Sequence, residues 1–97
     1  MARAIVLHTE DNVATLIDPG GAGTDVRLAG NGGGTVPLKG DVPYGHKFAI
    51  APIAVGAEVR KYGQVIGRAT SAIEQGEHVH VHNVESRRGR GDRPGGQ

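Results

Sequence analysis

The 97-residue sequence contains no cysteine and no tryptophan, and its only aromatic residues are Tyr44, Phe48 and Tyr62. The absence of cysteine excludes disulfide bonds, thiolate metal sites and a catalytic thiol. Three aromatic residues cannot build a large core, and a chain of this length buries only about 60% of the surface that its unfolded form exposes. We therefore expect one small domain with a core of Val, Ile, Leu and Ala, and an active site shared with another chain rather than a deep internal one.

The sequence also lacks a strong net charge and a long apolar run. Its formal net charge is +1 at pH 7, which is too small to predict binding to nucleic acid or to an anionic membrane. No apolar stretch approaches the roughly 20 residues that a membrane-spanning helix needs. The apolar run in the opening "MARAIVLH" is shorter than the core of a signal peptide. These features predict a cytoplasmic protein with neither a nucleic acid nor a membrane as partner.

Glycine and proline divide the chain into short segments. The 17 glycines and 5 prolines leave no stretch with the 3.6-residue apolar period of a helix, so the pattern predicts a mainly β protein of many short strands. The strand candidates are residues 3–8, 12–18, 25–29, 35–38, 47–51, 58–63 and 78–84. The "GNGGG" loop (30–34) is interpreted as a loose hairpin rather than a phosphate-binding loop, because Pro37 suits an edge strand better than a helix N-terminus.

One seven-residue pattern occurs twice. "IAVGAEV" (53–59) and "IEQGEHV" (73–79) share an Ile, a Gly three residues later and a Val three residues after that. We expect each to form a single helical turn closed by a left-handed Gly56 or Gly76 and followed by a strand. The prediction is a compact fold of short bent strands with one or two single-turn helices.

The chain ends in a segment of a different composition. Residues 85–97, "ESRRGRGDRPGGQ", contain no apolar side chain that could anchor them to a core. We therefore expect a folded domain over residues 1–84 and a disordered Arg/Gly-rich tail over residues 85–97.

The stretch "GEHVHVHNV" (76–84) places His78, His80 and His82 at alternate positions. Alternate side chains of a strand lie on one face, so the spacing predicts a row of three imidazoles, with Val79, Val81 and Asn83 on the other face. Neighbouring histidines in such a row start about 7 Å apart and can converge on one divalent ion if other ligands complete the site. A metal site, a proton-transfer group and a solvent-exposed strand face all remain open.

Two other stretches carry polar residues around turns. In "DVPYGHKFAI" (41–50), His46 and Lys47 follow a Pro–Gly turn and could act as an acid/base group and a carboxylate anchor. "VRKYGQVIGRA" (59–69) gathers cationic and aromatic side chains that suit an acidic small molecule, namely Arg60, Lys61, Tyr62 and Arg68. The alternative for both stretches is an exposed polar turn.

Together, "AIVLHTEDNVA", "DVPYGHKFAI", "KYGQVIGRAT" and "IEQGEHVHVHN" resemble the small SAF-type domain of the altronate and galactarate dehydratases, a family that also includes sulfolactate sulfo-lyase. The resemblance covers most of residues 3–84 and implies a β-clip fold. In this family the small domain either precedes a large catalytic domain or is a separate subunit. The short tail favours a separate small subunit with a large catalytic subunit as its partner, inactive by itself and able to form a homo-oligomer when isolated.

The resemblance also implies a reaction. Water is eliminated from a sugar acid such as altronate or galactarate, or sulfite from the sulfonated hydroxy acid sulfolactate. The α-proton is removed, and a divalent metal, iron or manganese, stabilises the enediolate-like state. The residues carried over by motif are His46, Lys47, His80 and His82 as catalytic groups, Lys61, Tyr62 and Asn83 as substrate-binding groups, and His80 and His82 as metal ligands.

The sequence departs from the family pattern in two places. Residues 19–35 are richer in glycine than the family leads us to expect, and Val65 stands where many members have proline. Neither change touches the histidine motifs. The alternative function is a non-catalytic β-clip module for carbohydrate binding or assembly.

Overall fold

The computed structural model describes residues 1–86, and within that range the chain consists of short strands and turns without a helix. The strands are β1 (Ala2–Val6), β2 (Val13–Leu16), β3 (Asp25–Gly30), β4 (Thr35–Pro37), β5 (Lys47–Ala49), β6 (Glu58–Lys61), β7 (Gln64–Ala69), β8 (His78–Val79) and β9 (Val84–Ser86). The predicted mainly β class is confirmed. No helix in the described part of the chain is long and apolar enough to cross a membrane.

The strands form two sheets. The larger has the order β4-β3-β1-β2-β5-β8, and the smaller has the order β6-β7-β9. The hairpin of β3 and β4 around "GNGGG" is confirmed, and β4, with Pro37, is an edge strand. Two aliphatic cores fill the fold, one around Leu16, Val26 and Phe48 and the other around Val59 and Ile73. Phe48 is the single aromatic side chain among the buried core residues of the described range, as the composition predicts.

One corner occurs four times in the described chain. Each copy has a bridge residue, a glycine with φ between 83° and 88° three residues later, and a strand that begins two residues after the glycine. The copies are residues 20–26, 42–48, 53–59 and 73–79, and bridges join the first two (Gly20 to Val42) and the last two (Ile53 to Ile73). The left-handed Gly56 and Gly76 are confirmed. The predicted single-turn helices are wrong, because each corner closes as a turn and the chain then leaves it as a strand.

The corners bring β5 and β8 together. Corner 42–48 leads into β5 and corner 73–79 leads into β8, and the two strands pair with Lys47 opposite Val79 and Phe48 opposite His78. One step further along this antiparallel register, His46 lies directly before β5 and His80 directly after β8. The pairing therefore gathers histidines from two distant stretches of sequence.

The predicted strand over residues 78–84 is wrong beyond Val79. Residues 80–83 form a turn, and the chain returns as β9, which pairs with β7. The Asn83 side chain closes the turn: its Oδ1 accepts a hydrogen bond from the His80 N–H at 3.0 Å, and its Nδ2 donates to the His78 carbonyl at 2.8 Å. Side chains of this type compete with strand pairing for backbone groups. As a result Val81, predicted to lie on the strand face opposite the histidines, is in the turn and is 82% exposed.

Strands β7 and β9 were not among the predicted strands. β9 extends to Ser86 and so includes the first two residues of the predicted tail. Residues 87–97, the remainder of that predicted tail, lie outside the described residues.

The β6–β7 hairpin is attached to the large sheet by the adjacent residues Asp11 and Asn12. Its two-residue turn, Tyr62–Gly63, has positive φ at both positions (58° and 72°), which is the conformation of a type I′ turn. The buried Asp11 carboxylate accepts hydrogen bonds from both turn N–H groups, at 3.0 and 2.8 Å. Asn12 accepts from the Arg60 N–H at 2.8 Å and donates to the Glu58 carbonyl at 2.9 Å. These four bonds fix the "KYG" turn.

Candidate functional site

Four of the five histidines form one cluster where β5 begins and β8 ends. The centroid of the His46 ring lies 5.1 Å from that of His78 and 4.7 Å from that of His80. The centroid of the His78 ring lies 5.4 Å from those of both His80 and His82. Nδ1 of His46 and Nε2 of His78 are 3.0 Å apart. His46 and His78 are half-buried, whereas His80 and His82 are exposed. The row predicted for one strand is thus a cluster built from two strands and a turn.

Three members of the cluster are close enough to become ligands of one metal ion after small movements of their rings. His46, His78 and His80 each offer a ring nitrogen, and these three atoms lie within 4.8 Å of one another. His82 is outside this group and contacts the His78 ring instead. The sequence prediction paired His80 with His82 as ligands, whereas the structure brings His80 together with His46 and His78.

The electrostatics of the cluster favour a neutral His78. Burial lowers the pKa of His78, and the neighbouring His46, His82, His80 and Lys47 lower it further. A carboxylate would raise the pKa of an imidazole, and none is among the causes acting on this ring. A neutral His78 keeps a lone pair that can accept a proton or bind a metal ion.

The lowered pKa of His78 predicts a pH dependence of folding. The unfolded chain protonates this imidazole near the usual pKa of about 6.5, whereas the folded chain does so only at lower pH. The contribution of a neutral His78 to the free energy of unfolding is therefore fully present above about pH 6.5. It is lost as the pH falls from there through the pKa of the folded state. We expect the melting temperature of the metal-free protein to fall between about pH 7.5 and 5.5, and to fall less in His78→Gln. An equal fall in both proteins would show that His78 is not the group responsible.

Lys47 lies beside the cluster, because its charge acts on His78, and Lys61 lies near Lys47. Neither lysine has a carboxylate partner in residues 1–86. Burial, and secondly the charge of Lys61, lower the pKa of the half-buried Lys47. The ammonium of Lys61 lies 4.9 Å from the centroid of the Tyr62 ring. Arg3, Lys39 and Arg60, by contrast, pair with Asp or Glu. Two unpaired cations in proximity repel each other and favour an anion between them.

A shallow groove runs beside these groups. Its volume is about 190 Å³, and it is lined by Lys47, His80 and Ser86 and by the aliphatic Ile66, Val79, Val81 and Val84. One end of a small acid could therefore meet Lys47 and His80 while its carbon chain contacts an apolar wall.

The other predicted substrate-binding residues differ in their surroundings. Tyr62 is 56% exposed at the tip of its turn, where the Asp11 hydrogen bond fixes its backbone. Asn83 is 2% exposed, and its side-chain amide bonds to the backbone of the histidine turn. Asn83 thus touches the site through His78 and His80 rather than through its own exposed surface.

Sequence reasoning did not include His78 among the catalytic or metal-binding residues and assigned no role to Asp11 or Asn12. A signal for His78 was present in the corner spacing. "VPYGHKF" (42–48) aligns with "IEQGEHV" (73–79) at the valine or isoleucine, the glycine and the final apolar residue. That alignment makes β5 and β8 equivalent strands, and a pairing between them brings His46 next to His78.

Residues 1–86 form short strands without a helix, and the chain bends at four glycine corners around two cores. This is the architecture of a SAF-type β-clip domain. Residues 2–87 match the family described as the altronate/galactarate dehydratase SAF domain. The chain belongs to this family, as the sequence motifs predicted.

Named relatives fall into two groups. The chain is 45% identical over 82 residues to altronate dehydratase of Escherichia coli strain K12, covering 84% of this chain and 16% of that protein. It is 34% identical over 86 residues to altronate dehydratase of Bacillus subtilis strain 168, covering 89% of this chain and 17% of that protein. It is 51% identical over 51 residues to the (2R)-sulfolactate sulfo-lyase subunit alpha of Chromohalobacter salexigens, covering 53% of this chain and 54% of that protein. The chain thus spans about a sixth of the dehydratases and about half of the lyase subunit.

Proposed function

We propose that this chain is the small subunit of a metal-dependent lyase that works with a separate large catalytic subunit. The complex eliminates water from a sugar acid such as altronate or galactarate, or sulfite from sulfolactate. The observation that carries the proposal is the histidine cluster, at which four imidazoles meet beside Lys47, a lysine with no carboxylate partner among residues 1–86. Such a set can bind an acid and move its protons.

The roles follow from the chemistry of each group. Lys47 and Lys61 neutralise the substrate carboxylate, which makes the neighbouring α-proton more acidic, and Tyr62 contacts the substrate from its fixed turn. His82, which lies outside the group of three possible metal ligands, takes the α-proton and then donates a proton to the departing β-hydroxyl, which leaves as water. His46, His80 and His82, with Lys47, are the catalytic groups. A divalent ion, iron or manganese, would be held by His46, His78 and His80 and would supply Lewis-acid polarisation of the substrate oxygens.

The need for a second chain follows from the shape of the site. His80 and His82 are exposed, and the adjoining groove is shallow. Elimination through a charged intermediate needs a site that excludes water and has preorganised dipoles. A large subunit that covers the cluster would supply this enclosure. The name "subunit alpha" carried by the sulfo-lyase relatives supports a partner of this kind.

The purified chain alone is therefore expected to show no lyase activity. It should be assayed on altronate, galactarate and sulfolactate, first alone and then with the large subunit present. Activity should appear only in the mixture. Turnover by the isolated chain, in a preparation free of other subunits, would contradict the composite site. A large subunit whose activity is the same with and without this chain would favour the non-catalytic module instead.

A further inference from the structure

We propose that His46, His78 and His80 form a three-imidazole site that binds one divalent transition-metal ion on this chain itself, without the partner subunit. This deepens the proposed function, because it assigns the metal to a defined ligand set within the small subunit. It is tested without measuring lyase activity, so the two proposals can fail separately.

The geometry is close to that of a bound site. Two nitrogen ligands at about 2.1 Å from a tetrahedral ion lie about 3.4 Å apart. Nδ1 of His46 and Nε2 of His78 are 3.0 Å apart and need only a small separation to reach this distance. The His80 nitrogen lies within 4.8 Å of the others. Because the His80 side chain is exposed, its ring can rotate inward by the remaining distance without displacing core atoms.

The backbone under each ligand is fixed before an ion arrives. The His46 N–H donates to the Pro43 carbonyl at 3.0 Å, and the His46 carbonyl accepts from the Leu16 N–H at 2.9 Å. His78 is held in β8 by its pairing with Phe48. The His80 N–H donates to Asn83. Ligands on fixed elements lose less conformational entropy on binding than ligands on free loops.

The donor set selects the kind of metal. Three imidazoles, without a carboxylate or a thiolate in the group, suit Zn²⁺, Co²⁺, Ni²⁺ or Fe²⁺ and disfavour Ca²⁺ and Mg²⁺, which require oxygen ligands. Three protein ligands leave a fourth position open, which is typical of sites that bind water or a substrate oxygen. His80 is the exposed member of the three, so the open position faces the surface that a partner would cover.

His82 provides a matched control within the same cluster. It is an exposed histidine two residues from His80, and its ring contacts His78, but its nitrogens are outside the ligand group. Removing it deletes one imidazole from the surface and leaves the three proposed ligands in place. If any pair of surface histidines could bind the ion, replacing His82 would weaken metal binding as strongly as replacing one of the three proposed ligands.

The test is a titration of the untagged 97-residue chain with Co²⁺, followed by its visible absorption, with competition by Zn²⁺ and by Mg²⁺. We expect one Co²⁺ per chain, displaced by Zn²⁺ and not by Mg²⁺. His46→Ala, His78→Ala and His80→Ala should each weaken binding by at least about a hundredfold, because loss of an outer hydrogen-bonding partner alone costs about 10- to 100-fold. His82→Ala should stay within about threefold of the parent chain, since it removes no ligand.

Imidazole ¹⁵N chemical shifts of the unsubstituted chain give a second readout that does not depend on the folding of a variant. On addition of Zn²⁺, one nitrogen each of His46, His78 and His80 should shift to the metal-bound range, while those of His82 stay in place. Absence of stoichiometric Co²⁺ binding, or a shift of His82 in place of His46, would overturn the proposal.

Discussion

Replacing His80 with alanine in the assembled two-chain complex is expected to lower kcat/KM at least about a hundredfold, or about 2.7 kcal/mol of transition-state stabilisation. The reason is that His80 is close to two other imidazoles and lines the groove that contains Lys47. The measurement is steady-state kinetics of the purified complex on whichever acid it turns over.

Two controls separate chemistry from folding in this experiment. His80 is exposed, so His80→Ala should leave the isolated chain within about 1 kcal/mol of its parent stability. Arg3→Ala removes an exposed cation that pairs with Asp18 outside the cluster, and its complex should react within about twofold of the parent rate. A His80→Ala complex that is fully assembled and as fast as the Arg3→Ala complex would show that this imidazole takes no part in the reaction.

Replacing Asn83 with alanine should destabilise the isolated chain by about 2 kcal/mol. The side chain is buried and makes two hydrogen bonds to the histidine turn, and each such bond contributes roughly 1 kcal/mol. For a domain of this size, the loss corresponds to a fall in melting temperature of about 8–16 °C. Thermal unfolding followed by circular dichroism measures it directly.

Asn83→Asp is the matched variant. It keeps an oxygen that can accept from the His80 N–H and loses the amide that donates to the His78 carbonyl, so its stability should fall between those of the parent and Asn83→Ala. If Asn83→Ala melts at the temperature of the parent chain and yet lowers the activity of the complex, Asn83 acts on the substrate, as the motif resemblance implied. If the role of Asn83 is structural, Asn83→Ala lowers the melting temperature, and any loss of activity follows from the loss of stability.

Much of the fold could be predicted because its signals are local. Short apolar runs between glycines marked seven of the nine strands of the described range, and the spacing from Ile53 to Val59 and from Ile73 to Val79 marked two of its four corners. The other two corners have the same spacing but begin with Gly20 and Val42. The prolines and glycines around them made the shared seven-residue pattern hard to recognise. Strand β7 contains Gly67, whose absent side chain allows β9 to approach closely, and this interrupted the apolar pattern.

The histidine site was harder to predict because it depends on contacts between distant residues. The alternation of His78, His80 and His82 with valines is the pattern of a strand. The chain nevertheless turns back after Val79, where the Asn83 side chain and the Val84 N–H form hydrogen bonds to the turn. Local sequence could not show that β5 pairs with β8, so it could not place His46 beside His78. The motifs indicated that histidines form the site. Which histidines lie together follows from the register of β5 and β8.

The most direct test of the account is to add this chain, or the double variant His46→Ala/His80→Ala, to the purified large subunit and to measure elimination from altronate, galactarate and sulfolactate. Size-exclusion chromatography must first show that both forms bind the large subunit equally. The account predicts that the parent chain gives turnover of one of these acids and that the complex with the double variant gives almost none. Equal turnover by the two complexes would contradict the claim that the histidine cluster is part of the active site.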